Sequence, residues 1–312
     1  MERGASTQRV GYGDRLNYYL GSVLAGAATP VRVRKQHPNF CTVAELRNPS
    51  ATGDMSTRGD YSYSRYDAPL YSLLKRAAPD ARCLLYAGSD RVGPDHGPVI
   101  AKNRRGSSEP VLLRCLNEQR HWAPTKDLRP FEDKKDSVFW RGTTSGWEYR
   151  DGSRMRLVGR WGARRSDVDV AFSTLAQEYE LAGVREKWLP HVRGHSPKEE
   201  FLEHRYIISA EGNDKDSGLG WKLASNSLVL MTKPVCESWI MEPFLKPFVH
   251  YVPLEPSYDD LGDRLEWCRR HPEKCGEIIQ NASAYMAQFD NCLQERKLEE
   301  EVIATYFQRT RA

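Results

Sequence analysis

The alternation of apolar and polar positions is most informative over residues 203–254, EHRYIISAEGNDKDSGLGWKLASNSLVLMTKPVCESWIMEPFLKPFVHYVPL. Residues 205–210 (RYIISA) form a short apolar run with β-branched side chains, the composition of a buried strand. The loop GNDKDSGLG follows, in which Gly212, Gly218 and Gly220 permit tight turns and close backbone approach. Residues 221–226 suit a short helix, and 228–232 (LVLMT) a second buried strand. A loop between a strand's carboxyl end and a helix start presents N–H groups and a positive dipole end, which suits phosphate. The same glycines would also serve merely to turn the chain in an ordinary βαβ unit, and the loop alone does not separate these readings.

Helical spacing recurs at 14–25, 70–77 (LYSLLKRA) and 261–267; 83–87 (CLLYA) and 111–116 (VLLRCL) read as buried strands or strand-to-helix entries, and strands are predicted at 137–140 and 168–172 (VDVAF). Residues 272–289 place Cys275, Ile278, Ile279, Ala282, Tyr285, Met286 and Phe289 on one helical stripe, and a charged amphipathic helix follows at 292–308. Alternating β and α elements predict an α/β fold with mainly parallel sheets. The proline- and charge-rich stretch 121–135 (HWAPTKDLRPFEDKK) reads as a linker or surface crossing. With a length of 312 residues it predicts two domains, 1–135 and 136–290, hinged near 129–136, and a final helical segment, 291–312.

Composition narrows the function classes. Hydrophobic residues at 39% and charged residues at 28% describe a globular chain. A net charge of +4, with Lys and Arg interspersed among acids, supplies no basic face for nucleic acid. The clusters at 102–105 and 154–156 are either phosphate ligands or solvated faces. Seven scattered cysteines without a CxxC pair argue against a zinc site and a full disulfide framework, which favours a reducing cytoplasm. The apolar run 18–28 falls short of the roughly 20 residues that span a bilayer. Gly21 and Ser22 interrupt it, so a packed helix is expected rather than a signal or a span. A secretory-pathway lumen becomes the expectation if the chain is a fragment lacking an upstream signal or anchor. The RGD at 58–60 and the sequon at 281–283 are read as incidental.

FWRGTTSG, GNDKDSGLGWKLASNSLVLM and ESWIMEPFLKPFVHYVPL, in this order and spacing, resemble glycosyltransferase family 90, the CAP10 or lipopolysaccharide-modifying family. The resemblance covers about 84–289. It implies a GT-B architecture, two Rossmann-like domains facing a cleft, with the N-terminal domain on the acceptor side, the C-terminal domain holding the nucleotide-sugar and the last helix packing back on the first lobe. It implies inverting transfer of glucose or xylose from UDP-glucose or UDP-xylose to a hydroxyl of a glycan, lipopolysaccharide or protein, with the UDP-sugar as co-substrate and neither cofactor nor metal.

Such chemistry needs a base near the acceptor hydroxyl and positive charge at the departing diphosphate. Asp90, after the strand 83–87, matches the family's base position; its alternative is a turn cap, and Asp95 and His96 are the neighbours if the match slips. Arg141, Gly142 and Thr143 offer a cation, backbone N–H groups and a hydroxyl. The family's phosphate-binding arginine matches Arg154, with Arg156 its near neighbour; Arg141 is equally an ion-pair partner. Ser217, Gly218, Gly220 and Lys222 complete the expected donor loop. Here the chain departs from the family, because Gly220 stands where a cation is expected, and Lys222 is either its substitute or a surface lysine. Glu242 matches a ribose-binding carboxylate and is otherwise a turn cap, and Lys102 is expected on the sugar or acceptor side. The alternative activity is sugar-nucleotide binding without transfer.

Overall fold

Runs such as Val138–Phe139–Trp140 and Tyr206–Ile207–Ile208 bury consecutive residues on both faces, which only a sheet covered on both sides accommodates. The computed structural model describes residues 9–27, 29–33, 40–47, 63–87, 97–105, 109–116, 126–146, 153–176 and 184–311. They divide into two compact units, one drawn from Pro124–Pro234 and Pro243–Gln288, the other from Gln8–Ala123, Val235–Glu242 and Phe289–Ala312.

The first unit is built on strands β1 (Lys135–Thr143), β2 (Val168–Thr174), β3 (His204–Ser209), β4 (Leu228–Thr232) and β5 (Val252–Leu254). All pair in parallel, in the order β2–β1–β3–β4–β5. The chain leaves β1 for the edge at β2 and then returns to the opposite side of β1. With right-handed crossovers this puts connections on opposite faces, and the carboxyl ends of β1 and β3 flank the point where the winding reverses. Helices α1 (Ser153–Trp161), α2 (Leu219–Leu223), α3 (Leu261–Arg270) and α4 (Pro272–Ala287) accompany the sheet. The anticipated stripe on α4 is buried from Cys275 to Met286, and Pro272 opens the helix at a position where its missing N–H costs nothing.

The proline- and charge-rich stretch is anchored where it is described. Lys134 is buried, donating to Asp127 at 2.6 Å, the Leu202 carbonyl at 2.7 Å and Ser227 Oγ at 2.9 Å. Asp127 also accepts from the Asn226 N–H at 2.8 Å.

In the second unit a four-stranded sheet orders Phe40–Thr42, Cys83–Ala87, Ile100–Ala101 and Val111–Leu112, the first pair antiparallel and the others parallel. The helix Tyr12–Ala25 bends at Gly21, whose φ of 73° is open to glycine and costly for other residues. It buries Tyr19, Leu20 and Leu24, so the apolar N-terminal run is a packed helix. No described helix is long and apolar enough to cross a membrane. The helix Cys292–Arg309 is tied to it by Arg15, whose Nη2 lies 2.7 and 2.6 Å from the two Glu295 oxygens, with both side chains buried. Arg114 approaches the same carboxylate at 3.5 Å, and Glu299 accepts the Cys115 N–H at 2.6 Å. One face of this helix therefore buries charge along with Leu298, Val302, Ile303 and Tyr306, and stays in place only while those charges are paired. All seven cysteines are free thiols.

Two buried histidines of the first unit give the fold an acid limit. Burial, reinforced by Lys135 for His204 and by Lys246 for His250, lowers each imidazole from 6.5 to about 4. Between these values the unfolded chain binds protons that the folded chain does not, so stability falls as pH drops from about 6.5 toward 4. Each histidine contributes at most about 1.4 kcal/mol per pH unit. Urea unfolding of wild type and a His204→Asn/His250→Asn variant at pH 7.5, 6 and 5 checks this. The variant's stability should depend less steeply on pH, and parallel dependences would contradict the assignment.

Candidate functional site

The carboxyl ends of β1 and β3 leave the Thr143 and Ala210 carbonyls at the reversal point, where buried acceptors require donors. One side chain serves both. Arg154, on the first turn of α1, donates from Nε to the Ala210 carbonyl at 3.3 Å and from Nη1 to the Thr143 carbonyl at 3.3 Å. Nη1 also reaches Thr143 Oγ1 at 3.2 Å and Ser145 Oγ at 3.0 Å, and these two hydroxyls are 2.7 Å apart. The helix that carries Arg154 is stapled to Tyr258 at both ends, through the Ser153 hydroxyl to the Tyr258 phenol and through Trp161 Nε1 to its carbonyl at 2.6 Å.

The glycine loop after β3 closes against this guanidinium. An added Cβ on Gly212 would lie 2.7 Å from Arg154 Nη2 and 2.8 Å from Cζ, so the absent side chain makes room for the arginine. Gly142 has a different reason, since a Cβ there would meet the Trp140 ring at 2.6 Å. Asp216 folds the loop back. It accepts from Ser209 Oγ at 2.8 Å, from the Gly218 N–H at 2.8 Å and from Lys222 Nζ at 2.5 Å. Lys222 Nζ also donates to the Ile208 carbonyl at 3.0 Å, and both charged side chains are buried. Burial opposes its charge, but the ammonium of Lys222 and the hydrogen bonds hold the Asp216 carboxyl below its ordinary range. Helix α2 has only five residues, so few peptide dipoles align at its start.

Of the residues anticipated for the donor, Thr143 and Arg154 meet here, and the stretch 217–222 follows in the loop whose Gly212 abuts the guanidinium. Lys222 stands behind the loop, bonded to Asp216 and β3 rather than presented at the surface. Arg141 pairs with Asp169 at 2.7 Å across β1 and β2 and covers the Phe139 ring. Arg156 points elsewhere from α1 and donates to the Pro256 carbonyl at 2.9 Å. Glu242 belongs to the second unit, fully buried, accepting the Ser238 N–H at 2.6 Å and the Ser238 hydroxyl at 2.7 Å. Lys102, in that unit too, is buried with its Nζ 3.3 Å from the Tyr66 hydroxyl. Asp90, Asp95 and His96 lie outside the described residues. Among the described residues no group of three or more His, Cys, Asp or Glu side chains is placed to hold a metal ion.

Sequence reasoning missed Ser145 and Asp216. The second had a signal, an aspartate two residues before a glycine, the arrangement in which a carboxylate accepts the N–H two positions on.

These features define an α/β protein with a cationic, hydroxyl-bearing cluster at the winding reversal of a parallel sheet. The family model described as Glycosyl transferase family 90 matches residues 109–306, and the chain belongs to that family. The chain is 33% identical to O-glucosyltransferase LpsA of Dichelobacter nodosus over 196 residues, 62% of this chain and 56% of that protein. It is 27% identical to Protein O-glucosyltransferase 2 of Danio rerio over 171 residues, 54% of this chain and 31% of that protein. Uncharacterized protein 035R of Invertebrate iridescent virus 3 is 25% identical over 232 residues, 62% of this chain and 21% of that protein. The chain thus spans about half the length of the bacterial relative and less of the other two.

The close approach of Gly212 to Arg154 generates a test in the unliganded protein. Gly212→Ala should displace the guanidinium and destabilise the fold by about 1–3 kcal/mol, the cost of overpacking. In an Arg154→Ala background the same substitution should be nearly neutral, giving a coupling of roughly 1 kcal/mol or more in a double-mutant cycle. Additive effects would show that the two sites do not press on one another.

Proposed function

We propose that this chain is an inverting, metal-independent glycosyltransferase of GT-B architecture. It moves glucose or xylose from a UDP-sugar to a hydroxyl of a glycan, lipopolysaccharide or protein. The observation that carries the reading is Arg154, a cation held at the winding reversal of a parallel sheet in a member of a glycosyl transferase family. Ligands of open α/β sheets bind outside the carboxyl ends of the strands at such a point. A guanidinium there matches the oxygens of a diphosphate in geometry and charge.

In this mechanism the acceptor oxygen forms a bond to the anomeric carbon while the bond from that carbon to the UDP oxygen breaks. The acceptor proton passes to Asp90, and negative charge developing on UDP is stabilised by Arg154, the Thr143 hydroxyl and N–H groups of 217–222. Attack opposite the leaving group inverts the anomeric centre. The names of the bacterial and fish relatives, both O-glucosyltransferases, support a hydroxyl acceptor and favour glucose.

A second reading, donor binding without transfer, draws on Gly220 standing where the family resemblance expects a cation and on Lys222 being bonded to Asp216. The two readings share a donor site and differ in turnover.

A thermal-shift panel of UDP- and GDP-sugars tests the shared part; selective stabilisation by UDP and UDP-sugars is expected, and no response to any of them would contradict both readings. Arg154→Ala should weaken UDP binding by about 1.5–3 kcal/mol in titration calorimetry, the range for a hydrogen bond to a charged group. Unchanged affinity would remove the residue from the site.

Asp90→Asn discriminates further. Donor binding should survive while transfer, followed as UDP release with an acceptor, falls by roughly two to four orders of magnitude. Near-normal turnover would reduce Asp90 to a turn cap, since asparagine also serves in turns. Wild-type binding without transfer to glycan, lipopolysaccharide or peptide acceptors would favour the second reading.

A further inference from the structure

The two charged residues behind the glycine loop have no part in the chemistry above, yet they sit where that loop is attached to the sheet. Asp216 makes contacts in three directions. Its Oδ2 accepts from Ser209 Oγ on the last residue of β3 and from Lys222 Nζ on α2, and its Oδ1 accepts from the Gly218 N–H within the loop. Lys222 makes the return connection, donating to the Ile208 carbonyl of β3. The loop that faces Arg154 is therefore tied at its C-terminal side to both the strand before it and the helix after it. At its N-terminal side the Gly212 N–H donates to the Asp214 carbonyl at 2.9 Å, a turn that places Gly212 against the guanidinium.

We infer that Asp216 is a positioning residue, which with Lys222 as its counter-ion sets the conformation of loop 211–218 against Arg154 and so preorganises the donor site. The inference rests on the UDP-sugar reading for what the loop is organised to bind, and on geometry alone for the organising. Physical cost argues for such a role. A buried ion pair is often no more stabilising than apolar residues of the same volume, so global stability alone does not account for it. What this pair provides, and an apolar pair would not, is a carboxylate with fixed acceptors for the Gly218 N–H and the Ser209 hydroxyl. The arrangement also explains the placement of the lysine. With Gly220 at the position where a cation is expected, Lys222 lies one residue beyond Trp221 and reaches back under the loop to β3. Lys222 thus acts on the donor through the loop, while Arg154 meets it directly.

The test compares wild type with Asp216→Leu/Lys222→Met, which removes the pair without leaving either charge alone. Leaving one charge buried and unpaired would unfold the site for trivial reasons, so the single variants are not the measure. The double variant should melt within a few degrees of wild type. Hydrogen exchange in the unliganded proteins should show amides of 211–218 exchanging faster in the double variant, with the protection of β3 and β4 unchanged. Titration with UDP should show affinity reduced roughly tenfold or more, and kcat/KM for the donor should fall with it. Wild-type exchange across the loop, or unchanged UDP affinity in a protein that binds UDP, would overturn the assignment and leave the pair a packing element. A wild type that binds no UDP while the variant's loop still exchanges faster would sink the donor reading and leave the positioning role standing. If the double variant fails to fold, Asp216→Ala/Lys222→Gln removes the same anchor without leaving either charge unpaired and keeps a donor for the Ile208 carbonyl, on the same exchange and binding criteria.

Discussion

Where a parallel sheet reverses its winding, two adjacent strands end side by side and their last carbonyls diverge from any ladder partner. In this protein those carbonyls belong to Thr143 and Ala210, and a single guanidinium answers both. Much of the surrounding sequence follows from that constraint. Helix α1 must start close enough to the sheet to deliver Arg154, and Tyr258 fixes it there at both ends. Residue 212 is a glycine packed against the guanidinium, which would have to shift to admit a Cβ there. Thr143 and Ser145 supply hydroxyls that accept from the arginine, and because they also bond to each other at 2.7 Å, one of the two protons is left to donate elsewhere. A charge that bridges two strand ends is thus a structural tie.

The balance of charge behind the site is just as constrained. Arg154 and Lys222 approach the same loop, and each lowers the Asp216 carboxyl through its field, the lysine more strongly. Without Asp216 two cations would converge on a buried loop. With it the lysine has a buried counter-ion at 2.5 Å, and the loop is held by the hydrogen bonds from Ser209 and Gly218 that converge on the same carboxylate.

Much of the first unit was legible from its apolar runs. Strands 205–210 and 228–232 and the stripe on 272–289 are buried as their patterns predict, because burial on both faces of a parallel sheet leaves a continuous apolar signature. Strand β1 is longer than the expected 137–140, since its polar ends, Lys135 and Thr143, carry no apolar signal and are recruited by pairing with β2 and β3. The strand predicted over 111–116 shortens to Val111–Leu112, its remaining residues being drawn into a turn where Arg114 and Cys115 meet the last helix. Arg154 entered as a candidate through family resemblance, and the fold brings it to Thr143 at the reversal point. The partners of Lys222, Arg141 and Glu242 were not legible, because a sequence shows that a charge is present but not which side of a loop it occupies. Asp216, Asp169 and Ser238 lie 6, 28 and 4 residues from those three in turn, and only the folded chain selects them.

The most direct measurement is a crystal structure of the protein with UDP. The account predicts the diphosphate outside the carboxyl ends of β1 and β3, with Arg154 in contact with its oxygens and the loop backbone of 217–222 alongside it. A diphosphate bound away from Arg154 and this loop, in a structure where both keep the positions described above, would contradict it.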